Sequence, residues 1–288
     1  MTIKYHFIAF LNKIVYLIFM SSNRTDTAEF FNKQGFALVR NFFLKEVTEI
    51  KNEIIDYLNF FGKKHNLINE RIDDYDQLVK KIMIPGTKLR TFIYDSIMLR
   101  PSIQKINHST KLKQILKDFG YSNPTSVDMG NVRFDIKSKT ESRFLRGIHQ
   151  DVRSIHSKKT VTIWLPITEV NNQRGTVVMY PETHNSGLYK HIYKPNLLIE
   201  HDNLPKSLDE LEKNKFLIEA NPGDVAIFNC FCLHRSEESK IDTVRSVIQF
   251  TITDIAAVDV DDGFFFLKNE YEAFARKPEQ KDLNSTLS

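Results

Sequence analysis

One short stretch of this 288-residue chain has the residue types and spacing for metal chemistry, His149-Gln150-Asp151. In an extended or turning segment, residues i and i+2 point the same way, so an imidazole and a carboxylate are presented together to one ion. A third ligand is required. Two His and one carboxylate on one face of an octahedron leave three positions free, the arrangement associated with non-haem Fe(II) oxygenases. Alone the tripeptide says little, because nine His are available and a surface turn would read the same way. A second feature strengthens it. Asn221-Pro222-Gly223-Asp224-Val225-Ala226-Ile227-Phe228 reads as a turn into a strand, followed by His234 in a polar loop and, eleven positions on, Arg245 opening another strand. Glycine-rich phosphate loops, nucleophile elbows and zinc-protease helices are missing from the sequence, whose 10 glycines leave little to build one. The two cysteines, Cys230 and Cys232, sit one residue apart, where a disulfide is hard to close and no Cys-based zinc site can form. A reducing compartment, the cytoplasm, is expected.

The elements that must position these residues change character along the chain. Phe36-Ala37-Leu38-Val39 reads as a short strand. Val47, Ile50, Ile54, Leu58 and Phe61 then recur at helical spacing, so one apolar face should pack on something larger. A second helical pattern, Ile103, Ile106, Ile115, Leu116 and Phe119, stops at Gly120. Beyond it come short apolar or alternating runs at 127–134, 160–165, 176–180, 224–228 and 245–253, punctuated by Pro166, Asn171-Asn172, Gly175, Pro181 and Pro222-Gly223. Parallel βαβ units would need helical crossovers that these gaps cannot hold, so an antiparallel sandwich or barrel is expected. The long polar stretch 189–216 is expected as an insertion over one end of the sheet.

In order and spacing, five segments resemble the phytanoyl-CoA dioxygenase family of Fe(II)/2-oxoglutarate oxygenases. They are Gly35-Phe36-Ala37-Leu38-Val39-Arg40, His149-Gln150-Asp151, Ile163-Trp164-Leu165-Pro166-Ile167, the strand running from Gly175 to Pro181-Glu182-Thr183-His184, and Pro222-Gly223-Asp224 leading to His234 and Arg245. The resemblance covers about Phe30 to Asp254. It implies a mainly β fold with helices: a double-stranded β-helix (jelly roll, cupin-like) over 121–255, buttressed by N-terminal helices over 23–120, as one domain. Outside it lie an N-terminal extension, 1–22, and a C-terminal segment with a polar tail, 256–288. The resemblance also implies that His149, Asp151 and His234 hold Fe(II) as the catalytic set, and that Arg245 receives the distal carboxylate of 2-oxoglutarate. A guanidinium suits that role, because it stays charged and presents a planar fork to a carboxylate. Ser236, Asn131 and Trp164 match further cosubstrate positions; read bottom-up they are equally a turn residue, a strand polar group and core packing. The implied activity is hydroxylation of an unactivated C–H bond by O2, with release of succinate and CO2. Related halogenases replace the carboxylate ligand with a small residue, so Asp151 favours hydroxylation. Departures are Glu182-Thr183, where the family usually has Gly-Ser, and Arg235-Ser236-Glu237-Glu238-Ser239-Lys240 after His234; they leave substrate transfer open.

The expected partner is a small molecule. Flanking the metal motif, Arg133, Lys137, Lys139, Arg143, Arg146, Arg153, Lys158 and Lys159 face only Asp135 and Glu141 once Asp151 is set aside. A cleft of one sign concentrates the opposite charge, which points to an anionic substrate; a solvated basic loop is the plainer account. A net charge of +4 is too weak to argue for nucleic acid. Residues 5–20 hold two apolar runs interrupted by Asn12-Lys13, short of the ~20 residues that span a bilayer. They read as an extra helix or over-long start, an interfacial helix or a cleaved signal, and are the only segment suggesting membrane association. A binding module without turnover and a hydroxylase of macromolecules are the competing readings. His156 could line the pocket, His184, His191 and His201 read as structural or exposed, and Cys232 is expected near the metal on the strand face of His234.

Overall fold

The computed structural model describes residues 24–137, 147–151, 157–189, 191–192, 198–199, 204 and 206–258. Helix α1 (Arg24–Gln34) leads into strand β1 (Phe36–Val39). Four helical pieces and a short sixth helix follow: α2 (Leu44–Lys64), α3 (Tyr75–Ile82), α4 (Lys88–Ile97), α5 (Pro101–Asn107) and α6 (Thr110–Asp118). The single helical pattern read through 103–119 is two helices. Ser109 takes an extended conformation and restarts the helix after α5 has closed at His108.

Then come β2 (Pro124–Ser126), β3 (Asn131–Ile136), β4 (Thr160–Pro166), β5 (Thr176–Met179), the hairpin β6 (His191–Ile192) and β7 (Leu198–Ile199), helix α7 (Leu208–Lys213), β8 (Phe216–Leu217), β9 (Val225–Asn229), β10 (His234–Glu237) and β11 (Val244–Asp254). A larger antiparallel sheet runs β1-β9-β4-β11-β2, with β3 also pairing β11; a smaller one runs β10-β5-β8. The two sheets face each other as a double-stranded β-helix and do not close into one barrel among the described residues.

Strand alternation decides which side chains reach the interior. On the outer face of the large sheet, Ile163, Leu165, Val225, Ile227, Ile248 and Phe250 pack against Val47, Ile50, Ile54 and Leu58 of α2, forming the main core. On the inner face, Trp164, Ala226, Phe228 and Val247 meet Val177 and Met179 of the small sheet. Both faces of β4 are thus buried, so its sequence is nearly continuous in apolar residues. Within the polar insertion, helix α7 packs on the small sheet, and residues 190, 193–197, 200–203 and 205 lie outside the described residues. Leu211 of α7 packs on Val178, Tyr180 and Leu233, while a Ser207–Glu210 capping box starts the helix.

Two family-like segments have structural work. Gly35 has φ +85°, and the His184 ring lies where a Cβ would be, 2.5 Å from Nδ1. The buried Asp224 carboxylate accepts from Arg40 (2.7 Å) and from the backbone N–H groups of Asn41 and Asn221 (2.8 Å each), tying the end of β1 to the turn before β9.

Candidate metal centre and cosubstrate cleft

The metal motif is assembled across the chain by a two-residue bridge. His149 N–H donates to the His234 carbonyl at 2.9 Å and His234 N–H to the His149 carbonyl at 3.0 Å. That antiparallel pairing sets the two imidazoles side by side, with ring centroids 4.2 Å apart. His234 lies in strand β10, where the sequence suggested a loop. Its neighbours misled because β10 has one wet face: Arg235 points out to Glu212 and Glu237, whereas His234 and Ser236 alternate inward.

Each imidazole has its tautomer set by a backbone carbonyl, which can only accept. Nδ1–H of His149 donates to Gly147 O at 2.8 Å and Nδ1–H of His234 to Cys232 O at 3.0 Å, leaving both Nε2 lone pairs for a cation. Asp151 Oδ1 stands 3.7 Å from each Nε2. Its other oxygen, Oδ2, accepts from the Thr162 hydroxyl at 2.8 Å. Burial alone would push the Asp151 carboxyl up; with no cation between them, the two imidazoles in their protonated form and the Thr162 hydroxyl hold it well below the usual carboxylate range. The middle residue of the motif is a clamp. Buried Gln150 donates to Gly187 O and Phe231 O, both at 2.7 Å, and accepts from Tyr189 N–H at 2.8 Å. All three ligand atoms lie within 4.8 Å of one another, a donor set that suits Fe(II).

The triad opens into a cleft also lined by Arg133, Asp135, Trp164, Thr176, Val177, Phe228, Ser236, Arg245, Val247 and Gln249. Arg245, Ser236 and Trp164 are therefore brought beside His149, Asp151 and His234. Arg245 is buried, and its Nη1 donates to Thr176 O at 2.9 Å and Glu237 O at 3.2 Å. Trp164 both lines the cleft and packs in the inner core. Asn131 does not reach it. As the exposed first residue of β3, it accepts from Arg133 Nε at 3.0 Å, and the cleft position is filled by its cross-strand partner Gln249. Thr162, Gln249 and Asp135 went unnoticed in the sequence as site residues; the alternation of β3, β4 and β11 was the available signal.

Of the basic flank, Arg133 faces the cleft. Lys137 donates to Lys240 O at 3.0 Å, Lys159 to Gly120 O at 2.8 Å, and Lys158 is exposed. Lys139, Arg143, Arg146, Arg153, His156 and His201 lie outside the described residues. The thiols also depart from expectation. Cys232 meets the site through its carbonyl, while its Sγ contacts Tyr180 O at 3.5 Å. Cys230 is the thiol behind the metal carboxylate, 3.6 Å from the Thr162 hydroxyl. Burial raises both, Cys232 to about 12 and Cys230 well above its ordinary value, so neither is a reactive thiolate.

The family model for phytanoyl-CoA dioxygenase (PhyH) matches residues 31–247, about three quarters of the chain. The chain belongs to the phytanoyl-CoA dioxygenase family. It is accordingly an Fe(II)/2-oxoglutarate-dependent non-haem oxygenase, and the His149-Asp151-His234 cluster suits the iron. Its fold is shared with solved structures at low identity. One is the epimerase SnoN in complex with Fe3+, alpha ketoglutarate and nogalamycin RO (TM-score 0.57, 12% identity, covering 80% of this chain and 83% of that one). Others are EctD from S. alaskensis with 2-oxoglutarate and 5-hydroxyectoine (0.52, 14%, 80% and 76%) and the non-heme monooxygenase ThoJ (0.52, 15%, 79% and 77%). No curated protein matches the sequence. Among the described residues, no helix is long and apolar enough to cross a membrane, and residues 5–20 lie outside them.

Proposed function

We propose that this member of the phytanoyl-CoA dioxygenase family hydroxylates an unactivated C–H bond of a small anionic molecule in the cytoplasm. His149, Asp151 and His234 hold Fe(II), and Arg245 with Ser236 receives the distal carboxylate of 2-oxoglutarate. The observation that carries the reading is two Nε2 lone pairs and one carboxylate oxygen turned to a common point in a cleft that also contains Arg245. Bound iron and 2-oxoglutarate together supply the activation of O2, with succinate and CO2 as co-products. The chain's own part is geometric and electrostatic. Thr162 keeps one Asp151 oxygen turned away, so that the other faces the cation. The Thr176 and Glu237 carbonyls hold the Arg245 guanidinium in one orientation, while Trp164, Phe228 and Val247 exclude water around it.

The anionic class rests on Arg133, the one member of the basic flank among the described residues that lines the cleft. Retention of the Asp151 carboxylate supports oxygen transfer over halogenation, because it keeps a coordination position from an exogenous anion. Two measurements test the proposal. Anaerobic addition of Fe(II) and 2-oxoglutarate should produce the visible metal-to-ligand charge-transfer band; a folded, metal-loaded sample without it would favour a binding module. A metabolite panel scored by succinate release should be stimulated by anions, with products heavier by one oxygen. Stimulation confined to neutral or cationic compounds would remove the anionic class, and an isomeric product would replace hydroxylation by epimerisation.

A further inference from the structure

The guanidinium assigned to the cosubstrate already holds a carboxylate of this chain. Asp135 on β3 lies directly opposite Arg245 on β11 in the strand register, and both side chains face the cleft. Arg245 Nε donates to Asp135 Oδ2 at 2.6 Å, and Nη2 donates to the same oxygen. Nη1 is engaged by Thr176 O and Glu237 O. A guanidinium has five N–H donors, so four are committed within the chain and one on Nη2 remains. Neither edge of the fork is open to a second carboxylate in the bidentate manner.

We propose that Asp135 is a specificity-determining residue that competes with the distal carboxylate of the oxoacid for Arg245, so that cosubstrate binds only by displacing it. This rests on the cosubstrate role given to Arg245 above. The pair is nearly dry, with side chains 7% and 17% exposed, so two carboxylates cannot share one guanidinium there without strong mutual repulsion. Arg133, two residues before Asp135 on the same strand face, lines the same cleft. The arrangement holds Arg245 in place and neutral in sum until an acid strong enough in contacts arrives. It also penalises weak carboxylate binders, because each must first break the Asp135 pair.

The test is equilibrium binding to the Fe(II)-loaded protein without oxygen, followed by the charge-transfer band and by calorimetry. Asp135→Asn keeps shape and removes the charge. It should lower the Kd for 2-oxoglutarate tenfold or more, while 2-oxobutanoate, which has the same chelating end and no distal carboxylate, changes less than twofold. Unchanged or weaker 2-oxoglutarate binding in Asp135→Asn would overturn the proposal and make Asp135 a support for Arg245. So would a gain shared equally by 2-oxobutanoate. Asp135→Ser serves as the second variant, with melting temperature confirming the fold of each. The underlying assignment fails separately: if Arg245→Ala binds 2-oxoglutarate as tightly as the unaltered protein does, Arg245 is not the receiver, whatever Asp135 does.

Discussion

Thr162→Val isolates one hydrogen bond to the metal carboxylate. The change is nearly isosteric, sits in the middle of β4 and removes only the hydroxyl that donates to Asp151 Oδ2 at 2.8 Å. A hydrogen bond to a charged acceptor contributes roughly 1.5–3 kcal/mol, and about 1.4 kcal/mol is a factor of ten in an equilibrium constant. The expected loss of Fe(II) affinity is therefore about 10- to 100-fold, the range found when outer partners of metal ligands are removed. The Asp151 side chain is only 8% exposed, so water cannot easily replace the lost donor, and the Cys230 thiol 3.6 Å from the hydroxyl is a poor one. The assay is anaerobic calorimetric titration of the metal-free protein with Fe(II), with Thr160→Val as the control. Thr160 is equally buried on the same strand but bonds Ser157 and Thr253 instead of the triad. Thr162→Val binding Fe(II) within twofold of the unaltered protein, or no worse than Thr160→Val, would refute the claim that this hydroxyl orients Asp151.

Other outcomes follow from the same geometry. His149→Ala and His234→Ala should each abolish succinate formation, measured with saturating 2-oxoglutarate and iron, because each removes one of the three ligand atoms. Arg245→Ala should raise the Kd for 2-oxoglutarate by the equivalent of about 2–5 kcal/mol, the range for truncating one partner of a buried charged pair, read from the charge-transfer titration. Asp224→Ala should cost about 3 kcal/mol in urea unfolding without changing iron affinity, since it leaves two backbone N–H groups without their acceptor and removes the ion pair of Arg40, which keeps the Glu219 carbonyl, all away from the metal. Burial would raise the Glu212 carboxyl, but Arg235, Lys215 and Tyr180 bring it from the ordinary 4.5 to about 2. A depressed carboxyl stabilises the fold above its unfolded value and loses that contribution as pH falls from 4.5 towards 2. Glu212→Gln should flatten the acid limb of thermal stability in that window, by under about 1 kcal/mol because the group is partly exposed.

Local patterns carried much of the fold. The apolar spacing of Val47, Ile50, Ile54, Leu58 and Phe61 made α2 legible, and the runs at 160–165 and 225–228 made β4 and β9 legible, because burial on a helix face or in a sheet imposes its own period. The restart at Ser109 was missed because apolar spacing does not register one residue turning extended. Charge counting could not tell which cations of the basic flank line the cleft, for a related reason. Lys137 and Lys159 are near the motif in sequence but end on Lys240 and Gly120 carbonyls, since the direction of a long side chain depends on what the folded chain places beside it.

By itself the sequence determined the chemistry on offer: a His and an acid two apart, a distant His, an Arg with the right attributes, and strands to carry them. Those follow from residue type and short-range periodicity, which are properties of neighbours along the chain. Only the tertiary structure decided what meets what. The His149–His234 bridge, the Thr162 hydroxyl on Asp151 and the Asp135 carboxylate on Arg245 all depend on inter-strand register, where a shift of one residue would turn every one of these side chains to the opposite face.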